Sequence, residues 1–375
     1  MRMLILSCST GEGHNSCARA VAEVFDNHGV DCEVKEALSF VSKFYENIIC
    51  KGHVVIYRNF PFLFKFGYNY TERHPKMFNE KSGNYKRLAR GADRLYKYIK
   101  EGGYDGVLCT HVFAALMLTE AKKRYPDLDI PTGLSLTDYT CYPGIAFTNV
   151  DYYFIPDMAL ADEFSAIGVD RKKLVATGIP VKQFFYSKTD INEAKEHFGI
   201  NTDNTHLLMM CGSMGCGPMK QLTDIIAAEN LPNVEVSVVC GTNKSLYKKL
   251  ENKHKNNKNI HIRGFEKEMS LLLDSADLYL TKPGGLSVAE GSAKRIPMVY
   301  INAVAGCEEY NRKFFESIGA AKSAEKTADT AKECIAVLKD SAIREKMHGV
   351  LVERDVINAG EMIFDTFAKE CAAKV

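Results

Sequence analysis

Short, almost continuously apolar runs alternate with amphipathic stretches along most of the chain. The runs predict strands, which in chain order are Met3–Cys8, Cys32–Leu38, Asp105–His111, Pro131–Thr137, Tyr152–Ile155, Lys173–Thr177, His206–Cys211, Val234–Cys240, Asn259–Ile262, Asp277–Thr281 and Met298–Ile301. Amphipathic helices are predicted between them, for example over Ser16–Asn27 and His111–Arg124. Strands that are apolar on both faces and alternate with helices predict an α/β protein with parallel sheets.

A polar stretch separates the strands into two groups. We therefore expect an N-terminal Rossmann-like domain over residues 1–180, a linker over 181–204 and a C-terminal Rossmann-like domain over 205–375. The last helix, at about 351–370, is expected to pack back on the N-terminal domain. Because open α/β sheets bind ligands at the carboxyl ends of their strands, the ligand site is expected in a central cleft that both sheets face.

Composition narrows the protein class. The 375 residues include 48 Lys and Arg against 47 Asp and Glu, so the net charge is +1 and a general nucleic-acid binder is not expected. The twelve cysteines are scattered without a CxxC pair, which favours reduced thiols in the cytoplasm over a metal site. No apolar run is long enough for a membrane span, and the N-terminal run is too short for a signal peptide.

The first candidate motif is STGEGHN, which follows the first predicted strand. Gly11 and Gly13 allow a tight turn and a close backbone approach to a ligand, but a dinucleotide fingerprint would need a third glycine where Ser16 stands. His14 falls at a helix N-terminus, where the helix dipole keeps an imidazole neutral. It is either a general base facing the ligand or a residue that only caps the helix.

Three further glycine turns occur in the second half. CGSMGCG follows the strand at 206–211, and TKPGGLSVAE follows the strand at 277–281; each precedes a helix and favours a phosphate-binding turn over a plain connection. In the second of these, Glu290 is placed to accept hydrogen bonds from ribose hydroxyls or to lie on a solvated helix face. GCEEYN is the third, and acids in its first helical turn suit the dipole even without a function.

Taken in order, these motifs resemble the monogalactosyldiacylglycerol synthase and processive diacylglycerol glucosyltransferase family. The resemblance spans nearly the whole chain and rests on STGEGHNSCARAV, TDYTCYP, GIPV, CGSMG, GF, TKPGGLSVAE and GCEEYN. It implies a GT-B glycosyltransferase, related to glycosyltransferase family 28, that inverts the anomeric centre and needs no metal or other cofactor. A UDP-hexose would be held by the C-terminal half, and a diacylglycerol-type lipid by the N-terminal half.

The resemblance also implies residue roles. His14 would be the general base, with Asp138 orienting either His14 or the acceptor; a simple turn acid is the alternative for Asp138. Helix N-termini would stabilise the departing diphosphate. The residues expected to contact the donor are Gly13, Gly212, Ser213 and Gly215 near the diphosphate, Gly264 and Phe265 at the uracil, Lys282, Gly284, Gly285 and Ser287 at the phosphate and sugar, Glu290 at the ribose, and Glu308 and Asn311 at the sugar hydroxyls.

The chain departs from the family pattern at three places. Tyr142 stands where the family has His, Ile145 where it has Trp, and Cys307 where it has Gln, which leaves the donor hexose open. Transfer to a soluble acceptor and UDP-sugar 2-epimerisation are alternative reactions on such a scaffold. A nucleotide-sugar sensor is the non-enzymatic alternative, and His14 argues against it.

Residues 43–100 differ from the rest of the chain in charge. They hold 13 Lys and Arg against four Asp and Glu, a net +9, and include the aromatic-rich run FPFLFKFGYNY. Pro61 and Gly67 argue against a long interior strand or helix there. This segment is expected to dock on an anionic membrane at the inner face of the cell, unless its aromatic residues pack in the core.

Overall fold

The computed structural model describes residues 1–301, 306–354 and 356–373, which form two compact units. The first unit comprises residues 1–183, 306–307 and 357–373, and the second comprises 184–301, 308–354 and 356. Most of the segment predicted as a linker, 181–204, is thus part of the second unit, where Ile191–His197 forms a helix.

The first unit is built on a parallel sheet. Its strands are β1 (Arg2–Ser7), β2 (Asp31–Glu36), β3 (Gly106–Cys109), β4 (Thr132–Ser135), β5 (Tyr152–Ile155) and β6 (Leu174–Ala176). They are arranged β2-β1-β3-β4-β5-β6, and every neighbouring pair is parallel. β3 and β4 are buried along their whole length, as the apolar sequence of β3 predicted, although β4 also contains Thr132 and Ser135.

Helices connect these strands. They are α1 (Glu12–Asn27), α2 (Lys43–Asn59), α3 (Pro61–Arg73), α4 (Gly83–Ala89), α5 (Ala92–Gly102), α6 (Val112–Arg124) and α7 (Ala161–Ala166). Short 3-10 helices occupy Ala37–Phe40, Pro75–Phe78, Ile145–Phe147, Met158–Leu160, Arg171–Lys173 and Gln183–Phe185.

The segment from residue 43 to 73 is helical, against the expectation drawn from its proline and glycine. Pro61 stands at the first position of α3, where the missing N–H has no partner to lose, so it ends one helix and begins the next. Gly67 lies within α3. The prediction erred because proline interrupts a helix interior but is favoured at a helix start.

The second unit has the same plan. Its strands are β7 (Thr205–Met210), β8 (Val234–Val239), β9 (Ile260–Arg263), β10 (Leu278–Thr281), β11 (Met298–Tyr300) and β12 (Ala321–Ser323), all parallel in the order β12-β11-β10-β7-β8-β9. Its helices are α8 (Ile191–His197), α9 (Met219–Ala228), α10 (Lys244–His254), α11 (Met269–Asp274), α12 (Gly285–Ala293), α13 (Cys307–Ser317), α14 (Thr327–Lys339) and α15 (Ser341–Glu353). The two parallel α/β sheets confirm the predicted fold class.

The last helix, α16 (Ala359–Ala373), completes the core of the first unit. The rings of Phe25 in α1 and Phe364 in α16 meet edge to face at 5.2 Å between centroids, and Phe367 is fully buried. A Cβ at Gly106 or Gly133 would lie 3.0 or 3.2 Å from the Phe367 ring, so glycine makes room for it in the sheet. This helix starts at residue 359 and not at about 351 as predicted, because Ser341–Glu353 forms α15 in the second unit.

Candidate active site

Side-chain hydrogen bonds hold the turn after β1 in place. Asn15 accepts a hydrogen bond from the Ser7 hydroxyl at 2.7 Å and donates one to the Ser9 hydroxyl at 3.1 Å. Glu36, at the end of neighbouring β2, accepts from the Ser9 backbone N–H at 2.7 Å. A Cβ at Gly13 would have no protein atom within 4 Å, so the space beside this turn is open.

His14 lies in the first turn of α1, and its protonation can be read from its contacts. The ring Nδ1 is 2.7 Å from the carbonyl oxygen of Thr110. Because a carbonyl only accepts, Nδ1 carries the proton and the lone pair of the neutral ring is on Nε2. Burial lowers the pKa of His14 to about 4. At neutral pH the ring is therefore uncharged and has the tautomer a general base needs at Nε2.

Asp138 is connected to His14 through Thr137. The Thr137 hydroxyl is 3.3 Å from His14 Nδ1 and 3.2 Å from Asp138 Oδ2. Tyr142 donates a short hydrogen bond to the same Asp138 oxygen and lies 3.2 Å from the Thr137 hydroxyl. Burial, together with the Asp138 charge, raises the pKa of Tyr142, so its hydroxyl stays a proton donor.

A second histidine, which the sequence did not single out, lies against the first. The rings of His14 and His111 meet edge to face at 4.5 Å between centroids. His111 caps α6, and its Nδ1 accepts from the Phe113 backbone N–H at 3.0 Å, so in its neutral form the proton is on Nε2. Its place directly after a buried strand was the signal that could have identified it.

The sheet order explains why these residues meet. β1, β3 and β4 are adjacent, and His14, His111 and Asp138 all follow the carboxyl end of one of these strands. The structure thus brings together two residues that were predicted, His14 and Asp138. We refer to His14, His111, Thr137, Asp138 and Tyr142 as the histidine cluster.

In the second unit, the turn after β7 packs closely against the turn after β8. A Cβ at Gly215 would lie 2.1 Å from the Cys240 carbonyl oxygen, and one at Gly241 would lie 2.1 Å from that of Ser213. Glycine at 215 is therefore required by packing within the protein, whatever ligand binds. Gly212 and Ser213 lie nearer the outside of this turn, and Ser213 is exposed.

The turn after β10 contains Lys282, whose side chain lies beside Gly212 and Gly284. The Nζ of Lys282 is 2.9 Å from Oε1 of Glu308, a buried acid in the first turn of α13. A Cβ at Gly212 would lie 3.1 Å from Lys282 Cε, and one at Gly284 would lie 3.4 Å from it. A side chain at Gly212 would crowd the lysine, whereas one at Gly284 would make an ordinary contact with it.

Helix α12 begins directly after this turn and presents its first N–H groups there. Gly284 is its N-cap residue, Ser287 is buried in its first turn, and Glu290 is partly exposed one turn further on. Asn311 is completely buried and donates from Nδ2 to the Pro283 carbonyl oxygen at 2.9 Å. Asn311 thus holds the Pro-Gly-Gly turn against α13.

Gly264 and Phe265 follow the end of β9. The Gly264 carbonyl accepts from the Gly241 N–H at 3.1 Å, which ties this turn to the one after β8. Phe265 is 63% exposed. A flat ring in this position can stack with a base.

Helices α2 and α3 expose a series of large apolar side chains. These are Phe44, Ile48 and Val55 in α2, Phe60 between the helices, and Phe62, Leu63, Phe66 and Tyr70 in α3. Phe62, Phe66 and Tyr70 are spaced four residues apart and form one stripe on α3, in which Phe62 is 81% exposed. These aromatic rings do not pack in the core. We call this set the apolar face.

Exposed cations follow the apolar face along the chain. Lys65, Arg73, Lys76, Lys81, Lys86, Arg87 and Arg90 are exposed, and none of them forms an ion pair with another residue in the described part of the chain. Two of the four acids of this segment, Glu80 and Asp93, pair instead with Lys123 and Arg124. The positive charge predicted from the sequence is therefore displayed at the surface.

Neither a group of metal ligands nor a membrane-spanning helix is present in residues 1–301, 306–354 and 356–373. Within these ranges, no three His, Cys, Asp or Glu side chains are grouped so that they could hold a metal ion. No helix in the same ranges combines the length and apolar character needed to cross a membrane.

Family descriptions match both halves of the chain. Residues 14–181 match monogalactosyldiacylglycerol (MGDG) synthase, and residues 206–347 match the glycosyltransferase family 28 C-terminal domain. The two matches occur in the order that the sequence motifs predicted. The N-terminal half of the chain thus resembles MGDG synthase, and the C-terminal half resembles glycosyltransferase family 28 enzymes. The predicted resemblance is confirmed, and with it the assignment as an enzyme.

Characterised relatives of this glycosyltransferase match most of its length. It is 27% identical over 346 residues to the processive diacylglycerol beta-glucosyltransferase of Staphylococcus saprophyticus, covering 91% of this chain and 85% of that one. The same enzyme of Staphylococcus aureus strain Newman is 27% identical over 345 residues, covering 90% and 83%.

Solved structures show that the glycosyltransferase has the GT-B fold. MurG of Acinetobacter baumannii superposes with a TM-score of 0.64 at 15% identity, covering 98% of this chain and 99% of that one. The spinosyn rhamnosyltransferase SpnG complexed with thymidine diphosphate gives 0.58 at 14% identity, covering 98% and 100%. UDP-GlcNAc 2-epimerase from Neisseria meningitidis, bound to UDP-GlcNAc, gives 0.60 at 13% identity with the same coverage.

Proposed function

We propose that this glycosyltransferase moves a hexose from a UDP-sugar to a hydroxyl group of diacylglycerol or a related lipid. The relatives named as processive diacylglycerol beta-glucosyltransferases support the acceptor, and they cover about nine tenths of this chain. The observation that carries the chemistry is the neutral His14 ring, whose Nδ1 proton is committed to the Thr110 carbonyl.

The base step follows from that tautomer. The acceptor hydroxyl attacks the anomeric carbon in line with the bond to UDP, and its proton passes to His14 Nε2. As that proton arrives the ring becomes cationic, and the nearby Asp138 carboxylate, linked through Thr137, stabilises the charge. General-base catalysis of this kind contributes roughly 10²–10⁴-fold to a rate. A single displacement inverts the anomeric centre.

On the donor side, exposed backbone N–H groups suit a diphosphate. Gly212 and Ser213 and the start of α12 at Gly284, Gly285 and Ser287 would bind phosphate oxygens, with Lys282 close by. Phe265 beside Gly264 would stack on the uracil, and Glu290 would accept hydrogen bonds from the ribose hydroxyls. Of the residues of α13, Glu308 would be nearest the sugar.

Three other residues that were predicted to contact the donor are assigned indirect roles. Asn311 is fully buried against Pro283, so we assign it to positioning the turn for Glu308 and the sugar rather than to a sugar contact. Gly215 would help to hold the diphosphate turn in shape, and Gly13 would leave room for the substrates near His14.

The apolar face and its flanking cations would bring the enzyme to its lipid. We propose that α2 and α3 insert their exposed Phe and Tyr rings among the headgroups of an anionic membrane, at the cytoplasmic face. Each well-placed Lys or Arg contributes about 1 kcal/mol near such a surface. Vesicle binding that ignores lipid charge and survives high salt would refute the electrostatic part.

A UDP-release screen tests the proposed reaction. Several UDP-hexoses are crossed with vesicles holding diacylglycerol, glycosyl-diacylglycerol or neither, with EDTA present because the proposal has no metal step. UDP release that depends on diacylglycerol, and on one hexose more than the others, is the expected result. Release with a soluble acceptor alone, or appearance of an epimerised UDP-sugar, would replace the proposal with one of the two alternative reactions.

A further inference from the structure

A cavity of about 660 Å³ opens in the second unit, at the other end of the sheet from the proposed donor turns. Its lining includes Asp277 and Pro297, which directly precede β10 and β11, whereas the donor motifs follow the carboxyl ends of the strands. The start of α8 and part of α15 also line it. Its volume is in the range of small-molecule sites. The cavity is therefore separate from the turns proposed for the donor.

Two buried charged residues of the lining have hydrogen-bonding capacity that the protein does not use. The side chains of Lys294 and Asp274 are 1% and 2% exposed, and Lys294 Nζ is 2.7 Å from Asp274 Oδ2. Lys294 also donates to the Ser187 carbonyl oxygen, so two of its three N–H donors have partners in the described part of the chain. Asp274 Oδ1 is buried and has no hydrogen-bond partner among the described residues. Because an unpartnered buried carboxylate oxygen is costly, Asp274 is expected to accept from a bound molecule.

Positive charge exceeds negative charge around this cavity. Three cations of the lining have no acidic partner within the ranges that the structure describes, namely Lys188, Arg295 and Arg344. Among the lining acids, Asp277 pairs with Lys195 at 2.9 Å, and Asp190 accepts from two backbone N–H groups as the cap of α8. With Asp274 also paired, Glu345, which is exposed, is left against the three cations. The cavity therefore favours an anionic ligand.

Arg295 supplies a donor of the kind that binds phosphate. Its φ is +58°, in the left-handed region that residues other than glycine rarely adopt. His348 holds this turn, since its Nδ1 donates to the Arg295 carbonyl oxygen at 2.6 Å. The Nε of Arg295 is buried and has no partner in the described part of the chain. Because a guanidinium group can bind a phosphate through two parallel hydrogen bonds, Arg295 suits a phosphorylated ligand.

We infer that this cavity is a second ligand site, apart from the site of sugar transfer, and that it binds a phosphorylated sugar. Arg295, Lys188 and Arg344 receive the phosphate, and a sugar hydroxyl donates to Asp274 Oδ1. A water molecule could satisfy the carboxylate, but it would leave the positive charge of the walls uncompensated. An inorganic anion would compensate the charge but give Asp274 no sugar hydroxyl. The inference goes beyond the proposed function and does not depend on it.

Calorimetry of the full chain with glucose 1-phosphate and glucose 6-phosphate tests the site, with saturating UDP present to fill the donor site. Arg295→Gly removes the guanidinium group, and because glycine adopts a positive φ without strain, this variant is expected to fold. It should weaken binding of the sugar phosphate about tenfold or more, because a hydrogen bond to a charged group is lost.

The matched control is Asn233→Gly. Asn233 is an exposed residue of the second unit that also has a positive φ, +56°, and it does not line the cavity. This variant should bind the sugar phosphate as tightly as the wild type. Lys188→Met, which removes an exposed cation of the wall, should weaken binding as Arg295→Gly does, though less.

Glucose and inorganic phosphate test the two halves of the ligand separately. Each alone should bind at least about tenfold more weakly than the better of the two sugar phosphates, because glucose leaves the cations unpaired and phosphate leaves Asp274 without a sugar hydroxyl. Inorganic phosphate that binds as tightly as the sugar phosphates would show an adventitious ion only and overturn the inference.

The remaining outcomes are equally decisive. Binding that persists in saturating UDP, is weakened in Arg295→Gly and is kept in Asn233→Gly supports the inference. Displacement of the sugar phosphate by UDP would assign it to the donor site, and unchanged binding in Arg295→Gly would remove the phosphate contact; either result overturns the inference. So does a wild type that binds neither sugar phosphate. The UDP-release screen decides the proposed function independently of all these results.

Discussion

The turns after β1 and after β10 both follow interior strands of a parallel sheet, but they are proposed for different roles. Each follows a buried parallel strand, contains glycine and leads into a helix. After β1, the space at Gly13 is open and the functional groups are side chains, with His14 among them. After β10, the glycine makes room for Lys282, and the helix start offers backbone N–H groups. Under the proposed function, a turn at the carboxyl end of a parallel sheet would supply proton transfer in the first unit and anion binding in the second.

Each unit contains a histidine whose pKa is lowered by burial, with different consequences. Burial lowers the pKa of both His14 and His206 to about 4. His206 is completely buried, and its two nitrogens are 3.0 Å from the Ser275 carbonyl oxygen and 2.9 Å from the Ser237 hydroxyl. Because both nitrogens of His206 are satisfied inside the core, a lowered pKa there indicates a structural residue. His14 has the same lowered pKa, but it lies in a turn that has open space beside Gly13.

The largest expected effect is on turnover when the first turn loses its base. His14→Gln should lower kcat roughly 10²–10⁴-fold, while the Kd for UDP, measured by calorimetry, should stay unchanged because the proposed donor site consists of residues of the second unit. His28→Gln, which alters an exposed histidine paired with Glu361, is the control. Full turnover in His14→Gln would remove the base assignment.

The apolar face of the first unit should control the amount of enzyme on vesicles. Phe62→Ser and Phe66→Ser each remove an exposed ring from one stripe of α3. With burial of a Phe side chain contributing about 1.5–3 kcal/mol, each change should weaken partition onto anionic vesicles about tenfold, and the pair about a hundredfold. Flotation measures the bound fraction.

The control for this pair is Phe184→Ser, which removes an exposed ring from the second unit. It should leave vesicle binding unaltered. Equal losses in the control and in the α3 variants would mean that no particular face of the protein meets the membrane.

Removing the ribose contact should weaken the donor site of the second unit. Glu290→Ala should raise the Kd for UDP about tenfold or somewhat more, because a hydrogen bond to a charged group contributes roughly 1.5–3 kcal/mol. Glu229→Ala, in an exposed ion pair with Lys339, is the control. Calorimetry that finds no loss in Glu290→Ala would argue that this acid only lies on a solvated helix face.

The smallest expected effect is the contribution of His206 to the pH dependence of the unfolding free energy. The unfolded chain protonates His206 near pH 6.5, whereas the folded chain does so only near pH 4, so the unfolded state binds more protons between these values. Stability is therefore lost as the pH falls below about 6.5, by about 2 kcal/mol between pH 7 and pH 5 from this residue. Urea unfolding measures it.

The matched variant is His206→Gln. It should be less stable than the wild type at pH 7 but lose less stability on acidification, with kcat nearly unchanged. An unfolding free energy that falls as steeply with acid in His206→Gln as in the wild type would show that His206 titrates normally.

The strands and the strand-end motifs were predictable because buried parallel strands are apolar throughout. The predicted bounds of β5, Tyr152–Ile155, match the structure residue for residue. β12 was missed because Ala321–Ser323 is short and contains a lysine. Helices α2 and α3 were not predicted because Pro61 and Gly67 were taken to argue against a helix, whereas Pro61 begins α3 and Gly67 lies within it.

The histidine cluster could be predicted only in part. His14 and Asp138 follow strand ends in recognisable motifs, but Thr137 connects them only because β1, β3 and β4 are adjacent in an order that differs from the chain order. The Lys282 contact with Gly212 likewise depends on the pairing of β10 with β7. Such contacts arise from strand register, which local sequence patterns do not specify.

The anomeric configuration of the glycolipid product tests the central claim most directly. UDP-hexoses are α-linked, and a single attack assisted by His14 must invert that centre. Proton NMR of the lipid formed from diacylglycerol vesicles and the preferred UDP-hexose is therefore expected to show a β-linked hexose. An α-linked glycolipid, or UDP release that yields only free hexose, would contradict direct transfer.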